Sequence, residues 1–310
     1  MTLRLAGTIR AGELVIDVDI EIPRGRTIAV VGPNGAGKTT IIRAIAGLQA
    51  LDSGRIEMDG VVWDAPSDGL FVPAERRRVG VVFQDYRLFG HLSARENVAF
   101  GLRAGGVAKR VANESADRVM ARLGVDAVAD QRPGSLSGGQ AQRIALARAL
   151  AIEPDVLLLD DPMAALDVTA RASVRRDLAD SITAVDGYRV LVTHDPVDAH
   201  ALADQVVVVE QGRVVQVGTM GDLAATPRSD YVAELIGTNL VRGRLVEDHL
   251  EVAGGGTLFV GAHHVDDGPV VATVRPAAVA LHRDRPEGSP RNVWESVVTG
   301  VDVADGRVRV

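Results

Sequence analysis

The sequence has no cysteine, which excludes disulfides and thiol catalysis and suits a reducing compartment. Aromatic residues make up 3% of it, and none occurs before Trp63. A planar ligand bound by residues 1–62 must therefore rest on aliphatic or arginine side chains. No apolar run approaches the roughly 20 residues that span a bilayer, so a role at a membrane needs another chain to supply the span. The stretch MTLRLAGTIRAGELVIDVDI alternates and carries acids. It has no apolar h-region, so no signal peptide is expected. Long Lys/Arg blocks are missing and the formal net charge is −7. A general nucleic-acid binder would show a basic face, so that partner is not expected. Together these absences predict a cytoplasmic chain.

What the 310 residues do contain is a large apolar fraction, 46%, enough for one large domain and a smaller one. TIAVV (27–31), RVGVVFQD (78–85), VLLLD (156–160) and RVLVTHD (189–195) read as buried strands. Helices are expected over 39–48, 107–124, 140–151 and 168–184. Another opens on the capping box Ser93–Glu96 and runs to about Leu102. Strands alternating with helices imply an α/β domain with a parallel sheet covered on both faces, residues 1–236. From Gly237 the texture changes to short valine-rich runs broken by Gly, Asp and Pro. Residues 237–310 therefore read as a small all-β sandwich or barrel domain.

The sharpest motif is GPNGAGKTT: Gly32, Pro33, Asn34, Gly35, Ala36, Gly37, Lys38, Thr39 and Thr40. It lies between a strand and a helix and has the P-loop spacing G-x-x-x-x-G-K-[ST]. Glycines let backbone N–H groups curl round a polyphosphate, and the helix N-terminus adds partial positive charge. Lys38 is expected to reach the β- and γ-phosphates, and Thr39 to offer a hydroxyl to Mg²⁺.

Then VLLLDDPMAALD, Val156 to Asp167, drives a buried strand into two adjacent carboxylates. Asp160 ends the strand and is expected to hold Mg²⁺. Asp161 follows and points the other way, since successive strand residues face opposite sides, and is placed to orient and deprotonate an attacking water. An N-cap pair for the next helix is the ordinary alternative.

LSGGQAQR follows the same logic. Ser137 and Gln140 form a capping box, while Gly138 and Gly139 leave bare N–H groups at a helix start. LSGGQ together with the P-loop resembles the ATP-binding cassette (ABC) ATPases, and the other family segments follow in order. Gln84 in VVFQD is similar to the Q-loop glutamine, a Mg²⁺ and water ligand. Asp167 is similar to the D-loop aspartate, and His194 in VTHD to the switch histidine that contacts the γ-phosphate. The resemblance implies the P-loop NTPase cassette fold, with a parallel core plus antiparallel β and helical subdomains. It also implies ATP and Mg²⁺ as cofactors, and a homodimer in which each signature closes on the partner's ATP. The absence of membrane spans is similar to the separate ATPase subunits of bacterial importers. These sit peripherally on the cytoplasmic face of the membrane, with permease subunits and an extracytoplasmic substrate-binding protein. A permease is expected near Gln84 and residues 85–102.

Two departures stand out. Most members carry Glu where this chain has Asp161, shorter by one C–C bond, roughly 1.5 Å. Many stack the base on an upstream aromatic, which residues 1–62 lack.

Val274 to Val298 resembles the TOBE domain appended to importer ATPases, with an OB-like barrel. Ser289, Arg291 and Asn292 are similar to the Ser-x-Arg-Asn motif of molybdate-binding domains, and RLFGHLS to molybdate importer ATPases. These imply molybdate or tungstate as cargo and as a ligand of the β-domain. Sulfate, iron and polyamine importers, and soluble ABC proteins that transport nothing, are the alternatives. The end at GRVRV, within what reads as a hairpin, predicts an incomplete barrel.

Overall fold

TIAVV, VLLLD and YRVLV are buried at all five positions each, and they lie side by side as parallel strands in the computed structural model of the chain. The structure describes residues 1–164, 168–261, 263–286, 291–295, 297, 302–304 and 307–309. The chain divides into two compact units, Met1–Ile236 and Gly237–Val310.

The first unit begins with strands β1 (Thr2–Ala11), β2 (Leu14–Pro23) and β3 (Thr27–Val31), then helix α1 (Lys38–Ile45). Strands β4 (Ser53–Met58), β5 (Val61–Ala65), β6 (Leu70–Phe71) and β7 (Val79–Val82) follow. Helices α2 (Ala94–Ala104), α3 (Lys109–Arg122) and α4 (Gly138–Leu150) form the next block. The unit closes with β8 (Val156–Asp160), α5 (Val168–Thr183), β9 (Tyr188–Val192), α6 (Pro196–Leu202), β10 (Gln205–Glu210), β11 (Arg213–Gly218), α7 (Met220–Ala225) and α8 (Asp230–Leu235).

Eleven strands make one sheet, in the order β6-β5-β4-β1-β2-β11-β10-β3-β9-β8-β7. The run from β10 to β7 is parallel, and the β1, β2, β4, β5 and β6 end is antiparallel. Parallel strands need both faces covered, which is why they read as unbroken apolar runs. One face packs against α1 through Ile41, Ile42 and Ile45. The other carries Leu157, Leu159 and Leu191 against Ala145 and Leu146 of α4 and Leu178 and Ile182 of α5. Helices α2, α3 and α4 share a separate core built around Val98, Ala116, Met120 and Ile144.

Register decides where chemistry gathers. Val30 pairs with Val192, Val192 with Asp160, and Leu159 with Val82. Strands β3, β9, β8 and β7 therefore end at one edge of the sheet. Ligands of open α/β sheets bind outside these carboxyl ends.

Several boundaries differ from the sequence expectation. The strand expected over 78–85 stops at Val82, because the chain turns from Phe83, whose carbonyl accepts from Tyr86 N–H at 2.8 Å, into left-handed φ of 57° and 46° at Tyr86 and Arg87. The one expected over 189–195 stops at Val192, because Asp195 turns to cap α6 by accepting from Val197 N–H. Helices α6, α7 and α8 have only six or seven residues each, too few for a periodic pattern to stand out.

The second unit contains β12 (Asn239–Val246), β13 (His249–Val252), β14 (Thr257–Phe259) and β15 (Gly268–Val274), an antiparallel sheet ordered β14-β13-β12-β15. Leu245 faces Leu250 across β12 and β13, and both are buried. Strands β16 (Asp302–Ala304) and β17 (Arg307–Arg309) pair with each other as a hairpin. Among the described residues β14 and β15 are the free edges of the four-stranded sheet.

Candidate functional site

The loop Gly32–Gly37 leaves the end of β3 and enters α1. Gly35 and Gly37 have φ of 78° and 104°, values that side-chain-bearing residues resist. At Gly37 there is also no room. A Cβ would stand 2.6 Å from Ile16 Cγ1, whose side chain rises from β2 beneath the loop. Gly37 is the N-cap of α1, with no side-chain cap and no acid in the first turn. The first-turn N–H groups thus lack intrahelical partners and keep their positive field for an external anion. Lys38 folds back over the loop, its Nζ donating to Gly32 O at 2.7 Å and Pro33 O at 2.8 Å. Burial holds its ammonium below the ordinary lysine range, against the pull of Asp161 and Asp160. Asn34, Gly35 and Thr39 are exposed and Ala36 is buried, so the loop's crest opens to solvent.

Asp160, 5% exposed, ends β8 beside this loop and accepts a hydrogen bond from Thr39 Oγ1 at 3.1 Å. Burial pushes its carboxyl up, the Thr39 bond draws it down, and the charge of Asp161 pushes it up again. A desolvated carboxylate whose main partner is one hydroxyl is a suitable ligand for a hard cation. Asp161 does not continue the strand, and alternation is not what aims it. It takes φ of 48°, its N–H donates to Val192 O at 2.9 Å, and its Oδ2 lies 2.7 Å from His194 Nδ1. The left-handed turn sends the second carboxylate across to the neighbouring strand end.

Behind His194 stands a network that sequence reading missed. Arg175 Nε donates to Asp198 Oδ1 at 2.6 Å, and Arg171 and Arg175 lie 3.6 and 3.8 Å from Asp195 Oδ2. The signal available was an Asp-Pro helix start at Asp195 with two arginines at i, i+4 spacing on the preceding helix.

The structure thus brings together Lys38, Thr39, Asp160, Asp161 and His194. Gln84 is exposed in the turn after β7 and makes no hydrogen bond to these side chains. Ser137 caps α4 well away in sequence. Its Oγ accepts from Gln140 N–H at 3.3 Å, and Gln140 Oε1 accepts from Ser137 N–H at 2.9 Å. With those acceptors engaged, the signature still offers donors: the Ser137 hydroxyl, the Gln140 amide hydrogens and the N–H groups of Gly138 and Gly139. As the sequence requires, β1 and β2 carry no aromatic platform, only aliphatic and polar side chains. The hairpin tip on the face of Ile16 carries the pair Ala11 and Leu14.

In the second unit Arg291 lies 5.0 Å over the Phe259 ring, and Asn292 braces β14. Phe259 N–H donates to Asn292 Oδ1 at 2.6 Å, and Asn292 Nδ2 donates to Phe259 O at 3.0 Å. A cavity of about 570 Å³ opens beside Arg291 and His263, with Glu247 and Asp248 on its rim. Asp167 and Ser289 lie outside the described residues.

Residues 15–164 match the family model described as ABC transporter. The chain is 41% identical over 303 residues to the molybdenum import ATP-binding protein ModC of Mycobacterium tuberculosis, covering 95% of this chain and 82% of the relative. It is 42% identical over 249 residues to the sulfate/thiosulfate import ATP-binding protein CysA of Nocardia farcinica, covering 80% and 73%. It is 39% identical over 277 residues to the Fe(3+) ions import ATP-binding protein FbpC of Mesorhizobium japonicum, covering 87% and 74%. Among solved structures it resembles the dimeric structure of a bacterial ABC transporter cassette, with TM-score 0.60 and 29% identity, covering 71% of this chain and 98% of that one. A post-hydrolysis state of that cassette bound to ADP and Pi gives TM-score 0.59 at 30% identity, with the same coverage. The chain belongs to the ABC transporter family, as an ATP-binding and ATP-hydrolysing subunit of the importer type. Its nucleotide is ATP with Mg²⁺, and the uncapped, acid-free start of α1, together with the Thr39–Asp160 pair, fits that ligand.

Proposed function

We propose that this chain hydrolyses ATP to drive import of molybdate or tungstate through a membrane permease. In that reading residues 1–236 are the cassette and 237–310 an appended TOBE/Mop-like domain. The residues divide the work as follows. The N–H groups of Gly35 through Thr40 and the ammonium of Lys38 hold the β- and γ-phosphates. The Thr39 hydroxyl and the Asp160 carboxylate hold Mg²⁺, with Gln84 completing its shell. The metal, when bound, neutralises charge on the phosphate oxygens. Asp161 takes a proton from the attacking water. An ionised carboxylate only accepts, so the hydrogen shared with His194 sits on Nδ1, and Nε2 donates to the γ-phosphate when it too carries a hydrogen, as in the imidazolium form.

Supporting this division is the convergence of Lys38, Thr39, Asp160, Asp161 and His194 on one sheet edge. Ser137, Gly138, Gly139 and Gln140 make no hydrogen bond to that cluster, and their remaining donors suit the ATP of a second copy. Two copies arranged head to tail would form both sites, with Asp167 at their contact. The permease would seat against residues 85–102, where Phe100 is 43% exposed and its ring lies 4.4 Å from that of Phe89. An extracytoplasmic binding protein would deliver the cargo, and the chain would sit on the cytoplasmic face of the membrane.

The relative that matches 95% of the chain is a molybdenum importer subunit, and that observation carries the cargo reading. Sulfate is the second reading, because the sulfate/thiosulfate relative is equally similar over 80% of the chain. For the β-domain, the motif residues Ser289, Arg291 and Asn292 would take an oxyanion, with Arg291 supplying a guanidinium. Uptake of labelled molybdate and sulfate by cells with and without this chain tests the cargo. Loss of molybdate uptake alone supports the first reading; loss of sulfate uptake alone replaces it with the second.

A further inference from the structure

The loop after β7 holds a shape that its residues resist, and side chains from two other elements keep it there. Tyr86 and Arg87 are both left-handed, at φ 57° and 46°, without being glycine. Such residues persist only where the surroundings over-determine them. Arg148, on α4, supplies that constraint. Its Nη1 donates to Arg87 O and its Nη2 to Tyr86 O, both at 2.7 Å. The same guanidinium lies 5.5 Å from the Phe89 ring centroid. Phe89 is tied in turn to α2, its N–H donating to Asn97 Oδ1 at 2.8 Å and its O accepting from Asn97 Nδ2 at 3.1 Å. Residues 86–89 are thereby clamped between α4 and α2, while Gln84 stands free just before the clamp.

Arg148 is an unusual cation. Burial holds its guanidinium below the ordinary arginine range. Among the described residues no carboxylate lies within ion-pair distance of it. Two carbonyl oxygens accept from its two terminal nitrogens, and one ammonium cannot reproduce that fork. Arg148 also sits eleven positions past the cap Ser137 on a single unbroken helix, roughly 16 Å along its axis at the usual rise per residue. A shift of the signature end therefore reaches the loop through one rigid rod.

We propose that Arg148 is a positioning residue for Gln84, joining α4 and the loop after β7 so that the signature and Gln84 move as one unit. This rests on the metal-shell role given to Gln84 above. The test is a double-mutant cycle on the full chain, reading turnover and the Mg²⁺ concentration for half-maximal ATP hydrolysis. Arg148→Met should lower turnover about tenfold and raise the Mg²⁺ requirement, with the KM for ATP changed less than about threefold. On a Gln84→Ala background the same change should cost less than about twofold, because the residue it positions is gone. Arg148→Lys, which keeps the charge and one hydrogen bond, should fall between; it carries the same cycle if the Met variant does not fold. Equal losses on both backgrounds would overturn the positioning role while leaving Gln84 as assigned. Wild-type turnover and Mg²⁺ requirement in Gln84→Ala alone would overturn the role of Gln84 and this inference with it.

Discussion

Asp161 Oδ2 and His194 Nδ1 lie 2.7 Å apart, although 33 positions separate them in the chain. The contact exists because β8 and β9 are parallel neighbours in register, so their ends emerge side by side. It fixes the ring by one nitrogen and gives the shortened acid at position 161 a defined direction. Replacing His194 by Ala should lower turnover on the order of 10²-fold, the usual cost of removing a preorganised donor from a phosphate site. ATP binding should change little. Steady-state phosphate release alongside nucleotide titration separates the two effects, and an equal loss in both would argue for a purely structural ring.

Asp160 opposes stability to function. Burial raises its carboxyl above its unfolded value, so in the nucleotide-free protein the ionised form is penalised. The sign follows. Stability from this group is fullest below the unfolded carboxylate range and falls as pH rises through the elevated folded value. At neutral pH Asp160→Asn should therefore raise the melting temperature of the nucleotide-free protein, by about 2–4 °C per kcal/mol relieved. The amide oxygen can still accept from Thr39. The same variant should lose Mg²⁺-dependent hydrolysis. A thermal melt without nucleotide checks it; a lowered midpoint would mean that the carboxylate is well compensated in the fold.

Gly37→Ala should fail twice over. The new Cβ meets Ile16 and the backbone sits at φ 104°. Overpacking and a forbidden left-handed angle together should cost more than about 1 kcal/mol and weaken ATP binding by distorting the start of α1. Gly134→Ala, with open space and no positive φ, is the control and should be near neutral. Chemical denaturation of both variants reads the difference.

Base selectivity should be poor. The tip of the β1–β2 hairpin offers Ala11 and Leu14, and no aromatic precedes Trp63. Phosphate and metal contacts then carry most of the affinity. GTP should compete with labelled ATP within about 100-fold, near 2.7 kcal/mol. A larger preference would mean that a second copy or another element supplies the base contact.

The parts of this site that could be read from sequence are those held within one local segment. The strand–loop–helix order around Lys38 and the capping boxes at Ser93 and Ser137 are set by residues three to six apart, and the structure forms all of them. Contacts that depend on register were hidden. Asp161 with His194, Arg148 with Tyr86 and Arg87, and Arg175 with Asp198 join distant segments, and no local pattern marks them. Strand ends were overrun at Val82 and Val192 for a related reason. After Val82 the left-handed turns at Tyr86 and Arg87 leave no trace in composition, and after Val192 the chain turns so that Asp195 can cap α6.

In the proposed mechanism the two carboxylates after Leu159 divide the work, Asp160 for metal and Asp161 for water. Phosphate release by Asp161→Asn, measured beside its ATP affinity, separates those roles. Turnover should fall on the order of 10²-fold or more while ATP still binds with Mg²⁺, and Asp161→Glu should retain or exceed wild-type activity. Near-wild-type phosphate release by the Asn variant would contradict the assignment of Asp161 as the base.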